Sequence, residues 1–343
     1  MEDFNADDAS LKEQLAKFWD YDTLGVKGRE EDFCEEYLTK VRFNGDHYEV
    51  SLPFKKEHPI IQDNHSLARN RLVSLLKRLK SSESKLLNQY DNVIKEQLDS
   101  GVVEVIDKHE EEVVPGTVHY LLHKEILKED RATTKLGVVY DASAKSYSEP
   151  SLNDCLLSGP ALTPLLFDIL LRFRLPKIAL VGDLEKAFLN VEVKPEDRNL
   201  LRFLWIDEVN SLNPEIIKLR FTWLVFGLVC YPFILNVTLR NLLSKHENID
   251  PEFVSAVIKA LYVDDFASGK NTVLDCFELC QKLKTGFREG GYNMRKWASN
   301  SSELNELIKK EETILLSGKP AVEQPSLLKL KLLINQSLPI AMP

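Results

Sequence analysis

Three aspartates carry the chemistry this sequence is equipped for. Asp264 and Asp265 are adjacent inside the run Ala260-Leu261-Tyr262-Val263-Asp264-Asp265-Phe266-Ala267-Ser268, apolar and β-branched, where a strand tolerates neither charge well. Either the pair sits in a turn between two strands, or it holds something positive. Asp183 ends a second apolar run, Lys177–Gly182. If the strands are neighbours in one sheet, three carboxylates meet at its edge. Carboxylates that close repel unless protons or cations neutralise them. A set of oxygen donors suits a hard cation, Mg²⁺ above all. Two such ions would activate an attacking oxygen and stabilise a leaving one, as phosphoryl transfer requires. The competing reading is two unrelated surface turns.

The elements that would position these residues follow from periodicity and breakers. Val41–Leu52 reads as a hairpin with a two-residue turn at Asn44-Gly45. Ser66–Leu98 is helical, with Leu72, Leu75, Leu76 and Leu79 on one face and a second helix over Asp91–Leu98 closed near Gly101. Arg69, Arg71, Lys77, Arg78, Lys80 and Lys85 face one acid, Glu83, between positions 69 and 85; such a stretch is either a phosphate-facing surface or a solvated one. Strands are expected at 102–106, 117–127, 136–140, 177–183, 201–206 and 216–224, with a helix near 163–173 and another over Pro232–His246 opened by its proline. The run Val257–Val263 reads as a strand leading into the aspartate pair, followed by a strand at Phe266–Ser268. A helix over Thr272–Arg288 ends at Gly290-Gly291, and Tyr292–Trp297 reads as a further strand. Residues 7–20 carry a capping signal and helical apolar spacing, and the apolar, Pro-interrupted tail from about Glu312 reads as an incomplete element. The class is mixed α/β (α+β).

The 343 residues have a net charge of −9, which at first argues against a nucleic-acid partner. The acidity is local: residues 1–36 hold 12 acidic and 4 basic residues, so the remaining body is near neutral and free to carry basic patches. The five scattered cysteines read as reduced thiols, and with no apolar signal region and no run of about 20 apolar residues the expected setting is intracellular, with no membrane. His119 and His123 have no third ligand nearby and read as structural.

Longer motifs carry a resemblance. Leu261-Tyr262-Val263-Asp264-Asp265 resembles the Tyr-x-Asp-Asp signature of reverse transcriptases, Asp183-Leu184-Glu185-Lys186-Ala187-Phe188 their first metal-binding motif, and Phe226-Gly227-Leu228 with Pro232-Phe233 the motif beside the incoming nucleotide and template. The segments Phe18-Trp19 through Leu24-Gly25, Thr133–Leu136, Val138–Ser143, Ser151–Asp154, Phe167–Arg174 and Asn293–Trp297 are similar to the BEL/Pao class of long-terminal-repeat retrotransposon polyproteins. The resemblance spans roughly residues 15–300.

It implies a reverse-transcriptase-like polymerase fold with fingers and palm and a missing or incomplete thumb: an acidic leader and hairpin over 1–59, fingers over 60–175, palm over 176–300 and a truncated tail over 301–343. It implies an RNA-directed DNA polymerase in which Asp183, Asp264 and Asp265, with the Leu184 carbonyl, hold two Mg²⁺. Phe188 would be the steric gate against a ribose 2′-OH, Phe226 and Gly227 would lie beside the nucleotide, and Lys135 and Lys296 would contact the triphosphate. The partners implied are an RNA or DNA template-primer, dNTP and the remainder of a polyprotein. Gly137 stands where the family pattern has an arginine, and Val229-Cys230-Tyr231 replaces a small polar run. A non-catalytic remnant that only binds nucleic acid or protein, and a Mg²⁺-dependent nuclease, remain as alternatives.

Overall fold

The computed structural model describes residues 33–81, 85–107, 116–127, 136–146 and 149–316. The expected helix over 7–20, Lys135 and the tail beyond 316 lie outside the described residues, as does the side chain of Phe188. Strands β1 (Arg42–Phe43) and β2 (Tyr48–Val50) are followed by helices α1 (His65–Ser81) and α2 (Lys85–Asp99), then β3 (Val103–Val105), β4 (Leu122–Leu127), β5 (Leu136–Asp141) and α3 (Leu166–Phe173). Next come β6 (Ile178–Leu184), β7 (Val191–Val193), β8 (Arg202–Ile206), β9 (Ile216–Phe221), α4 (Tyr231–Ser244) and α5 (Pro251–Ala260). β10 (Leu261–Tyr262), β11 (Asp265–Lys270), α6 (Val273–Arg288), β12 (Met294–Ser299) and α7 (Ser302–Leu316) complete the described chain. The class is mixed α/β, as the periodicity predicts.

A four-stranded antiparallel sheet of order β10-β11-β6-β12 positions the aspartates. One face of it is apolar. Phe266 lies opposite Gly182 in the β11–β6 ladder, its ring meets Trp297 edge-on, and α6 contributes buried Cys276, Leu279, Cys280, Leu283 and Phe287. Gly182 is required here because a Cβ on it would lie 2.8 Å from the Trp297 ring. Gly182→Ala is therefore expected to push that ring aside, lowering stability by about 2 kcal/mol; a urea denaturation curve with its midpoint shifted down and its slope unchanged is the readout.

Other sheets brace this one. β2 pairs in parallel with β7, tying the β1–β2 hairpin to the segment just after β6, and β9 lies between β3 and β8. Every residue of β8, Arg202 to Ile206, is buried, and the one charge among them is held by two bonds from the Arg202 guanidinium to the Asn199 side-chain oxygen, at 3.1 and 3.0 Å. Of the two histidines, His123 has the partners of a structural residue. His123 on β4 accepts from the Tyr90 hydroxyl at Nδ1 (2.5 Å) and donates from Nε2 to the Leu204 carbonyl (2.8 Å); both it and His119 are held well below their ordinary pKa, at about 4, by burial.

Three expectations need correction. Val257–Ala260 is the last turn of α5, not a strand. Asp250 caps that helix by accepting from the Phe253 N–H at 3.0 Å, and Pro251 fills its first position; the cap and the helical spacing of Val254, Val257 and Ala260 outweigh the β-branched composition. The second helix begins at Lys85 rather than Asp91. The turn at Asn44-Gly45 is shifted by one residue: the Asn44 N–H donates to the His47 carbonyl at 3.1 Å, leaving Gly45 and Asp46 at the tip, and the Asn44 side-chain oxygen accepts the N–H groups of Asp46 and His47, at 3.1 and 3.0 Å. Among the described residues no helix is long and apolar enough to cross a membrane.

Candidate active site

The aspartate pair occupies a hairpin. β10 and β11 pair antiparallel with Tyr262 opposite Asp265, leaving Val263 and Asp264 as the turn. Val263 has φ 58°, a left-handed conformation that a β-branched residue adopts only at a strain of order 1–2 kcal/mol. The Asp264 carbonyl accepts the Leu184 N–H at 2.9 Å, fastening this turn to the end of β6. In the adjoining ladder Asp265 lies directly opposite Asp183, and directly opposed residues of antiparallel strands share one face of the sheet. Turn and cation site are thus compatible readings of one hairpin.

Electrostatics agree with the geometry. Burial raises the Asp265 carboxyl to about 6, and the charges of Asp264 and Asp183 push the same way. Asp264 is raised by burial and then by Asp183. Lys296 opposes both shifts. Its ammonium lies 2.5 Å from Asp183 Oδ2. Among the described residues no group of three His, Cys, Asp or Glu side chains stands in a ready-made metal-binding arrangement. The donor set nevertheless suits a hard cation: like charges, partly desolvated and on one face, are what a divalent ion would relieve. Asp183, Asp264 and Asp265 would hold it, with the Leu184 carbonyl adjacent on β6.

The other candidates are spread around this cluster. Phe226 is exposed, and its ring stacks on Tyr231 with centroids 5.1 Å apart. Tyr231 opens α4 and feels the charge of Asp264, which with burial raises its phenol well above the ordinary value. Gly227 has φ 99°, and a Cβ there would fall 2.6 Å from the Tyr140 carbonyl oxygen, so only glycine lets this loop approach β5. Phe188 lies on the turn Ala187–Asn190 that leaves β6. Gly137 is paired with Ile126 in the β4–β5 ladder.

Sequence reasoning used Asn153 only as part of a motif and gave it no task. Its side chain donates to the Gly227 carbonyl and the Ser143 hydroxyl and accepts the Val229 N–H, each at 2.8 Å. It straps the Phe226–Cys230 loop to the end of β5. Asn153→Ala is expected to release that loop, with the Val229 amide exchanging about tenfold faster with solvent deuterium. The capping motif Ser151-x-x-Asp154, formed as a capping box, was the available signal that this short turn is rigid enough to carry a strap.

Comparison with solved structures gives likenesses of fold. A solved structure of a foamy viral protease–reverse transcriptase in complex with double-stranded DNA is similar over 62% of this chain, at 19% identity and a TM-score of 0.43. The chain matches only 31% of that protein's length. No protein-family model matches the sequence, and no curated protein does.

Proposed function

We propose that this chain is the core of a templated nucleotidyltransferase of the reverse-transcriptase kind, joining a dNTP to a primer 3′-OH with loss of pyrophosphate. The observation that carries it is the pairing of Asp183 with Asp265 on adjacent central strands, with Asp264 in the turn beside them. Strain at Val263 and partial burial of two carboxylates are features a purely structural turn has no use for. Divalent Mg²⁺ bound there would supply charge neutralisation for the attacking and leaving oxygens.

The chain's own residues define the rest. The carboxylates orient whatever they bind on one face of the sheet, and the apolar face behind them keeps the strands from shifting. Phe226, exposed and stacked on Tyr231, offers an aromatic surface on which a base could lie. Phe188, on the turn after β6, would take the part of the gate against a 2′-OH that the sequence resemblance gives it. On α1, exposed Arg69, Arg71, Lys77 and Lys80 are the cations available to phosphates, because Arg78 is spent on Glu125 through two bonds of 2.7 and 2.6 Å.

The second reading, binding without catalysis, is favoured by Gly137, which has no side chain to meet a triphosphate, and by the bulk of Tyr231 beside Asp264. Purified protein with Mg²⁺, a labelled primer on RNA or DNA template, and dNTP separates the possibilities. Primer extension that EDTA and Asp264→Asn both abolish supports the polymerase. Retained oligonucleotide binding with no extension supports the second reading. Template degradation without dNTP identifies a nuclease.

A further inference from the structure

Two consecutive residues of β12, Arg295 and Lys296, each reach a carboxylate on β6 or just beyond its end. Arg295 is paired with Glu185 at 2.7 Å, and Lys296 with Asp183 at 2.5 Å. A regular strand would send neighbouring side chains to opposite faces. Here the ladder slips between Arg295 and Ala298, and Lys296 takes φ 55°, so the bulge turns both side chains to the same edge. A left-handed lysine is an uncommon, strained conformation. The fold therefore accepts strain to deliver this one ammonium to the aspartate opposite Asp265, while Asn293, which donates to Glu185 at 2.8 Å, and Arg295, paired with the same carboxylate, fix the strand just before it.

We infer that Lys296 competes with divalent cations for the carboxylate cluster: its ammonium takes the Asp183 oxygen that a metal ion would use, and metal binding requires it to withdraw. The inference rests on the proposed metal site. Lys296 then acts as a positioning residue that sets the cation concentration at which the cluster loads, and it keeps the three carboxylates from repelling one another below that concentration. Its side chain is 37% exposed, so solvent lies within reach of the ammonium.

The test uses Mn²⁺ alone, with binding read by electron paramagnetic resonance or calorimetry on the purified chain. Lys296→Met keeps the length of the side chain and removes the charge; it is expected to bind Mn²⁺ roughly two- to fivefold more tightly, the scale of one partly exposed ion pair. Lys296→Arg retains a cation and should stay close to wild type. Equal Mn²⁺ affinity for wild type and Lys296→Met overturns the competition and leaves the metal site standing; no Mn²⁺ binding by either overturns both. A second measurement needs no variant. Acylation of Lys296 by a lysine-selective reagent, quantified by mass spectrometry, should rise several-fold when Mg²⁺ is added to wild-type protein. Reactivity that Mg²⁺ leaves unchanged sinks the idea.

Discussion

Asp265→Asn protein is expected to lose primer extension by about a thousandfold or more, and yet to unfold at a higher urea concentration than wild type at pH 7.5. The two effects have one cause. Asp265 is raised from its ordinary range to about 6 by burial and by the charges of Asp264 and Asp183, so its ionised form is disfavoured in the folded chain relative to the unfolded one. A carboxyl raised on folding binds more protons in the native state between about pH 4 and 6, so its contribution to stability is full below that window and is lost as the pH climbs through it. At neutral pH it remains as a penalty of about 1–2 kcal/mol after allowance for partial exposure. Asparagine is nearly isosteric and carries no charge, which removes the penalty together with the ligand. A variant that lost activity and stability in parallel would mean that Asp265 holds the hairpin together rather than a cation.

The second large effect runs the opposite way with pH. His119 and His123, held neutral by burial at about 4, protonate in the unfolded chain near 6.5 but not in the folded one. Between those values the unfolded state binds more protons, so stability falls as the pH drops. Each histidine accounts for a loss of about 3 kcal/mol across the window. Together they outweigh the gain from Asp265, and the protein is expected to be acid-labile below about pH 5. Urea midpoints at pH 4.5, 5.5, 6.5 and 7.5 should trace this. His123→Gln should flatten the profile at the expense of overall stability, because the Tyr90 hydroxyl and the Leu204 carbonyl lose well-placed partners. A profile rising toward acid would contradict the neutral tautomer.

Those tests bear on how much the sequence discloses. The strand leading to Asp183, the aspartate pair, the strand at β8 and the helix before Gly290-Gly291 are legible because composition and breakers agree locally. α5 was misread: Val254, Val257 and Ile258 are β-branched, and the decisive Asp250-Pro251 cap is a single short signal. The order β10-β11-β6-β12 could only be supposed, since periodicity says which face a residue takes and nothing about which strand lies beside it. The resemblance gives Lys296 a triphosphate contact, and nothing in Arg-Lys-Trp announces the bulge that sets it against Asp183; left-handed turns normally advertise themselves with glycine or asparagine. The strap made by Asn153 is hidden for a related reason, its three partners being scattered across 143, 227 and 229.

The parallel pairing of β2 with β7 sets an order on synthesis. Tyr48 and Val50 are fully buried in the finished protein, yet their partners Val191 and Val193 leave the ribosome about 140 residues later, of order ten seconds or more at ordinary elongation rates. Through that interval a short apolar strand waits with an unpaired edge, the kind of surface that nascent-chain chaperones hold and that aggregates when they do not. Co-translational folding can finish the hairpin at once but must leave its sheet open until β6 has passed and β7 has been made, so a strand made early is buried late.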